Sequence, residues 1–282
     1  MKICISAEST IDLPRELLDE FNIKTVPFTI TLGEKNGLDG VTTPEEIFDY
    51  VDRTGVLPKT SAVNIAQFDE YFNNLLKEYD EVIHFSLSSD MSSAYQNACT
   101  VASELKGKVH VVDSMSLSTG IALLAIYASK LVKEGLTADE IVKKVSERIP
   151  NDQASFVLAT VDYLYKGGRC SALAKLGAML FRIRPQILVM NGKMGPGKKY
   201  TGKQADCVAN YCRDTLDQFN NPDLEIGFVT HSGATEEMVN IAVNAMKERG
   251  FKRVLITTAG ATISSHCGPR CLGILYINDG GR

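Results

Sequence analysis

Along the first half of the chain, short apolar runs alternate with longer stretches in which apolar residues recur every three or four positions. Residues 2–6, 24–32, 81–85 and 109–112 are short and rich in apolar, mostly β-branched side chains, the pattern of strands. Between them, Ile65, Phe68, Tyr71, Phe72, Leu75 and Leu76 fall at helical spacing, and Met91, Ala94, Tyr95, Ala98, Val101, Ala102 and Leu105 keep the same rhythm. Residues 121–132 are apolar on every face, which predicts a helix buried all round. Start signals agree with this reading. Asp12 before Pro14 predicts a capped short helix over 15–21, Thr43 with Glu46 and Thr137 with Glu140 have the form of capping boxes, and Asn64 precedes the helix at 65. Strands alternating with helices in this way predict a mostly parallel α/β sheet.

The second half has a different texture. Strands are predicted over 156–160, 186–190, 224–230, 253–258 and 271–277, and helices over 171–181, 204–219 and 235–249. Asn191-Gly192 is a turn signal, and the polar GKMGPGKKYTGK that begins at Gly192 reads as a loop. The expectation is two α/β domains, one over residues 1–155 and one over 156–282.

Composition narrows the class. A chain of 282 residues that is 44% hydrophobic has enough apolar material for a large core. Its formal net charge is −4, with basic residues dispersed among acidic ones, so neither a nucleic-acid groove nor an anionic membrane surface is indicated. No run has the length of a membrane span, and MKICISAEST lacks the pattern of a signal peptide, so a cytoplasmic location is expected. The seven cysteines are dispersed, which fits reduced thiols, and no second pair stands at zinc-ligand spacing beside His266, Cys267 and Cys271. Neither a metal nor a cofactor is expected.

The chemistry concentrates in hydroxyl-rich clusters. Five serines and an aspartate crowd residues 86–93, between an apolar run and a helix, where one or two would suffice for capping. Similar clusters stand at Thr60-Ser61, at residues 113–119 and at Ser264-Ser265-His266. In open α/β sheets ligands bind beyond the carboxyl ends of strands, so such clusters converge if they share one edge. Hydroxyls and helix N–H groups suit a carboxylate or a phosphate. For Ser88, Ser89 and Asp90 simple capping is the competing reading. Ser92 is expected inside the first helical turn, His84 in a core or at an edge, and His231 after a strand that could line a pocket.

At this point the residues carry a resemblance. STIDLP, KTSAVN, LSSDMSSAYQNA, VVDSMSLSTG, LYKGGRCSALAK followed by RIRPQILV, and ISSHCGP resemble the DegV family in order and spacing across essentially the whole chain. The resemblance implies two α/β domains, with a parallel sheet in the first and a mixed sheet in the second, and a long-chain fatty acid between them. It implies a carrier that presents the carboxylate to a separate ATP-binding fatty acid kinase subunit, which makes an acyl phosphate. Matched by position, Thr60, Ser61, Ser92, Ser93 and His266 would hold the ligand, and Arg169 would face the partner. Glu8 stands where the family has aspartate, Ser93 where it has glycine, Val63 displaces a proline, and Arg270 replaces a glycine, which puts the loop shape and kinase coupling in question. The stretch 172–180 interleaves small and large apolar residues that would either leave room for a tail or simply pack as a helix.

Two enzyme readings compete. One is a serine hydrolase or acyltransferase using Ser92 with His266, and the other a kinase subunit for small carbonyl compounds. Against the first, the chain has no GxSxG elbow and no evident acid to orient His266. Against an autonomous kinase, it has no GxxxxGK[ST] loop.

Overall fold

The computed structural model describes residues 1–173 and 183–281, so most of the helix expected over 171–181 lies outside the described residues. In chain order the elements are β1 (Ile3–Glu8), α1 (Arg15–Glu20), β2 (Ile23–Val26), β3 (Thr29–Leu32), β4 (Lys35–Leu38), α2 (Pro44–Thr54), β5 (Lys59–Ser61), α3 (Ile65–Leu75) and β6 (Glu81–Ser86). They continue with α4 (Ala94–Glu104), β7 (Val109–Asp113), α5 (Thr119–Lys133), α6 (Ala138–Arg148), β8 (Asp152–Val157) and α7 (Asp162–Gly167). The last are β9 (Arg184–Met190), β10 (Lys193–Tyr200), α8 (Gln204–Gln218), β11 (Ile226–Ser232), α9 (Glu236–Arg249), β12 (Arg253–Thr258), α10 (Ala261–Cys267) and β13 (Cys271–Ile277).

The molecule is mixed α/β. Strands β2-β1-β6-β7 form a parallel sheet, and β10-β9-β8-β13-β11-β12 form a mixed one in which only β11 and β12 run parallel. A small antiparallel sheet, β4-β3-β5, joins the first half. Because β8 begins at Asp152, position 155 falls inside a strand, and the change of sheet comes in the connection after α6.

Helix α5 accounts for the all-round apolar pattern. It packs on β1 and β6 on one side and on β8, β11 and β13 on the other. Ile121, Ala122, Leu124, Ala125 and Ala128 are fully buried. The capping boxes at Thr43/Glu46 and Thr137/Glu140 form as expected, and Asn64 pairs with Gln67 in a third.

Three expectations are corrected. The run 24–32 splits at Pro27 into β2 and β3, which belong to different sheets. The predicted loop after Gly192 is strand β10. It tolerates Pro196 because it lies at a sheet edge and carries an irregularity between Pro196 and Lys199. Asp12 does not cap α1, which begins after an extended Pro14. Asp12 instead sits in the left-handed region at φ 55°, and its carboxylate accepts from Ser118 Oγ at 2.5 Å and from Gly260 N at 2.8 Å.

That contact organises α10. The amides entering this seven-residue helix are taken by two acids from the other half of the chain: Gly260 N donates to Asp12, and Ala261 N to Asp39 Oδ1 at 2.7 Å. A helix this short is not stable alone, and two carboxyl groups at its N-terminus satisfy its leading donors; burial pushes the Asp12 carboxyl well above its ordinary value, so Asp12 acts there as a hydrogen-bond acceptor rather than as a charge.

Candidate functional site

The serine-rich stretch leaves β6 as a folded loop rather than a helix cap. Leu87 N donates to Glu8 Oε2 at 2.9 Å, and Ser88 N to Ser116 O at 3.0 Å. Ser88 Oγ donates to Gly192 O at 2.7 Å, tying the loop to the β9–β10 turn, and Lys193 pairs with Asp90 at 3.6 Å. Ser88, Ser89 and Asp90 therefore do not cap α4, whose N-cap position is held by Ser93 without a side-chain capping bond. Ser92 lies before the helix, not in its first turn. Its hydroxyl oxygen accepts from Ala94 N at 3.1 Å, which leaves its proton available to donate elsewhere.

This loop forms one rim of a cavity of about 250 Å³. Its apolar wall includes Phe28, Leu117, Phe156, Leu164, Met194 and Leu275. At Gly273 a side chain would meet the Ser155 carbonyl at 2.5 Å, so glycine keeps that part of the wall flat. The polar rim gathers Thr60, Ser92, Ser93, Arg169 and His266. Ser61 is not among the lining residues. It follows Thr60 on a strand, where successive side chains point to opposite faces, and it is exposed.

His266, in the last turn of α10, bonds through Nε2 to Thr60 Oγ1 at 2.9 Å, and its Nδ1 has no partner. Burial, reinforced by the Arg169 charge, pulls the imidazole down to about 4, so it is neutral near pH 7. Gly167 is required beside it, because a Cβ there would sit 2.6 Å from Nδ1. Arg169 is exposed and donates through Nη1 to Gly167 O at 2.8 Å. With Met91, Ser92 and Ser93 it lines both the cavity and an adjoining open groove that includes Ser89, Asp90, Tyr95 and Gln96.

The other histidines divide between the cavity and the core. His231, on β11, also lines the cavity, between Thr230 and Ser232, and its buried Nδ1 has no hydrogen-bond partner. His84 is fully buried in a polar network with Ser6, Glu8 and Ser86. Arg270 holds φ 58°, and its N–H donates to Ser232 O at 2.6 Å, so it occupies the left-handed conformation that favours glycine.

The profile of the family described as "Uncharacterised protein, DegV family" matches residues 2–279. The chain belongs to the DegV family. A DegV domain-containing protein of Caldanaerobacter subterraneus subsp. tengcongensis is 30% identical over 279 residues, 98% of each chain. A protein of Thermotoga maritima named "Fatty acid-binding protein" is 29% identical over 279 residues, covering 97% of this chain and 96% of that one. The solved structure described as "Fatty Acid Binding of a DegV family Protein from Thermus thermophilus" superposes with a TM-score of 0.91 at 24% identity, over 98% of this chain and 99% of that one. The DegV fold thus explains the pairing of a parallel with a mixed sheet. Among the described residues no helix is long and apolar enough to cross a membrane.

Sequence reasoning missed Glu8 as the acceptor for Leu87 N, and Asp12 and Asp39 as the anchors of α10. None of these carries a local signal, since each partner is at least 79 residues away. Of the stretch 172–180, weighed as a tail-binding wall, residues 174–180 lie outside the described residues.

Proposed function

We propose that this DegV protein binds a long-chain fatty acid in the cavity between its two sheet units and presents the carboxylate to a separate ATP-binding kinase subunit. The observation that carries this reading is an apolar cavity ending in hydroxyls and a neutral imidazole. Burying an acyl chain of about sixteen carbons supplies on the order of 12 kcal/mol gross, before ordering is subtracted. The carboxylate then needs hydrogen bonds to leave water. Thr60, Ser92 and Ser93 provide them, and the bond between His266 Nε2 and Thr60 Oγ1 holds the threonine hydroxyl at the cavity; in the tautomer with the proton on Nε2, Thr60 keeps its own proton for the ligand. The name of the Thermotoga relative supports the ligand class.

Arg169 stands where cavity and open groove meet, which suits a partner's approach to the carboxylate. In this reading the protein is a carrier, needs no cofactor, and does no chemistry alone. The hydrolase alternative lacks its geometry: His266 is bonded to Thr60 rather than Ser92, and among the described residues no carboxylate bonds its Nδ1.

Native mass spectrometry of purified protein, followed by lipid extraction, is expected to show a bound long-chain acid. Protein that arrives empty and also ignores added palmitate and oleate refutes the reading. With a cognate ATP-binding subunit, Arg169→Ala is expected to reduce acyl phosphate formation at least tenfold, more than it weakens acid binding; each tenfold is about 1.4 kcal/mol. Ester hydrolysis by the isolated chain that vanishes in Ser92→Ala and His266→Ala would favour the enzyme instead.

A further inference from the structure

We infer that Cys267 and Cys271 are a thiol pair that an acyl hydroperoxide entering the cavity converts to an intramolecular disulfide. The inference rests on the acyl-binding reading for its reagent, but the pair itself is a feature of the wall. Cys267 ends α10 and Cys271 opens β13, with only Gly268, Pro269 and Arg270 between them. Both residues line the cavity, yet each is only 5% exposed. Their thiols interact with one another.

Burial and, after it, the contact with Cys267 push the Cys271 thiol well above its ordinary value. A buried, protonated thiol reacts slowly with dilute peroxide in water. A hydroperoxide on an acyl chain differs, because binding holds it against the sulfur at high effective concentration. The Cys267 sulfur attacks the terminal peroxide oxygen, the O–O bond breaks, and the acyl alcohol leaves with the thiol proton. The Cys271 sulfur then attacks the resulting sulfenic acid, its proton leaves with the hydroxyl as water, and the S–S bond forms. Two thiols are oxidised by two electrons, and the hydroperoxide is reduced to an alcohol plus water.

Closing the bond brings the sulfurs to about 2.0 Å and draws the end of α10 toward β13. His266 immediately precedes Cys267, so its bond to Thr60 is displaced and the acid is held less tightly.

The test treats ligand-free, full-length protein with a hydroperoxide of linoleic acid and, separately, with hydrogen peroxide at equal concentration. Intact mass, non-reducing peptide mapping and oleate affinity are followed. A Cys267–Cys271 link is expected to form at least about tenfold faster with the acyl hydroperoxide. Oleate affinity should fall several-fold and return on adding dithiothreitol. Cys271→Ser and Cys271→Ala, checked for folding by circular dichroism, should yield oxidised Cys267 without a link. Protein that binds oleate but forms no such link, or links other cysteines instead, overturns the pair. Equal rates with the two peroxides overturn the acyl reagent. A link in protein that never binds oleate sustains the pair and removes the acyl-binding reading.

Discussion

His84 and His266 both sit in buried polar settings, and of these two only His266 borders the cavity. His84 bonds Ser6 Oγ through Nδ1 at 2.9 Å and Glu8 through Nε2 at 3.1 Å, while Glu8 also accepts from Ser86 Oγ and Leu87 N. Serine, histidine and acid are in the order of a hydrolytic triad, yet Ser6, Glu8 and His84 are all 0% exposed. His266 has one nitrogen on Thr60, the other without a partner, and a cavity beside it. Residue types that spell catalysis are here a closed structural network, whereas the incomplete set is the one positioned to receive a ligand. Satisfied groups hold the fold together, and unsatisfied ones at a cavity wall have bonding capacity left for something else.

The contrast breaks most visibly at Glu8. Glu8→Ala strands His84, Ser86 and Leu87 N in the core, and is expected to remove about 3–5 kcal/mol of stability in urea unfolding of ligand-free protein. His266→Ala should remove much less, because it leaves only Thr60 to find another partner. Similar losses from the two variants would show that the two sites are not different in kind.

The pH dependence sharpens it next. His266 is held down to about 4 from an ordinary 6.5, so below pH 6.5 the unfolded chain takes a proton that the folded chain refuses. Its contribution to stability is therefore lost as pH falls from 6.5 toward about 4, by on the order of 3 kcal/mol. Asp152 is opposite: burial, against a lesser effect of Ser116, raises its carboxyl from 3.8 to about 7, so its contribution is present below 3.8 and is lost as pH rises from there through about 7. Subtracting the stability-versus-pH curves of His266→Asn and of Asp152→Asn from that of wild type should give differences of opposite slope between pH 4 and 6.5. Slopes of the same sign would contradict the burial argument for one of them.

The smallest effect separates two serines of one segment. Ser92→Ala should weaken fatty acid binding by about 1–2 kcal/mol with little change in stability, whereas Ser86→Ala should cost stability and leave affinity nearly unchanged. Isothermal titration with oleate and urea unfolding of both variants decide it. Equal affinities for Ser92→Ala and wild type would reduce Ser92 to its turn with Ala94.

What could be read in the sequence was what is decided locally. Thr43 with Glu46 and Thr137 with Glu140 announce helices because both partners lie within one turn. Helix α10 was invisible, since the acids that secure it are 248 and 222 residues distant. Strand β10 was hidden by Pro196 and its glycines, which forbid a central strand but not an edge. Within the site, motif resemblance brought out Thr60, Ser92, Ser93, Arg169 and His266, all of which reach one rim. Ser61 lies off the cavity because a one-residue step on a strand reverses direction, and a motif does not encode the pleat.

Helix α5 bears on how the chain is made. Its partners β1 and β6 precede it, but β8, β11 and β13 follow, the last of them spanning Cys271–Ile277. During synthesis from the N-terminus, α5 emerges with one apolar face bare and keeps it bare until β8, β11 and β13 have followed. The first 150 residues are then not a finished unit waiting for a second, but half of a sandwich whose filling is already in place. A nascent or truncated chain of that length is correspondingly a natural client for chaperones that cover apolar surface.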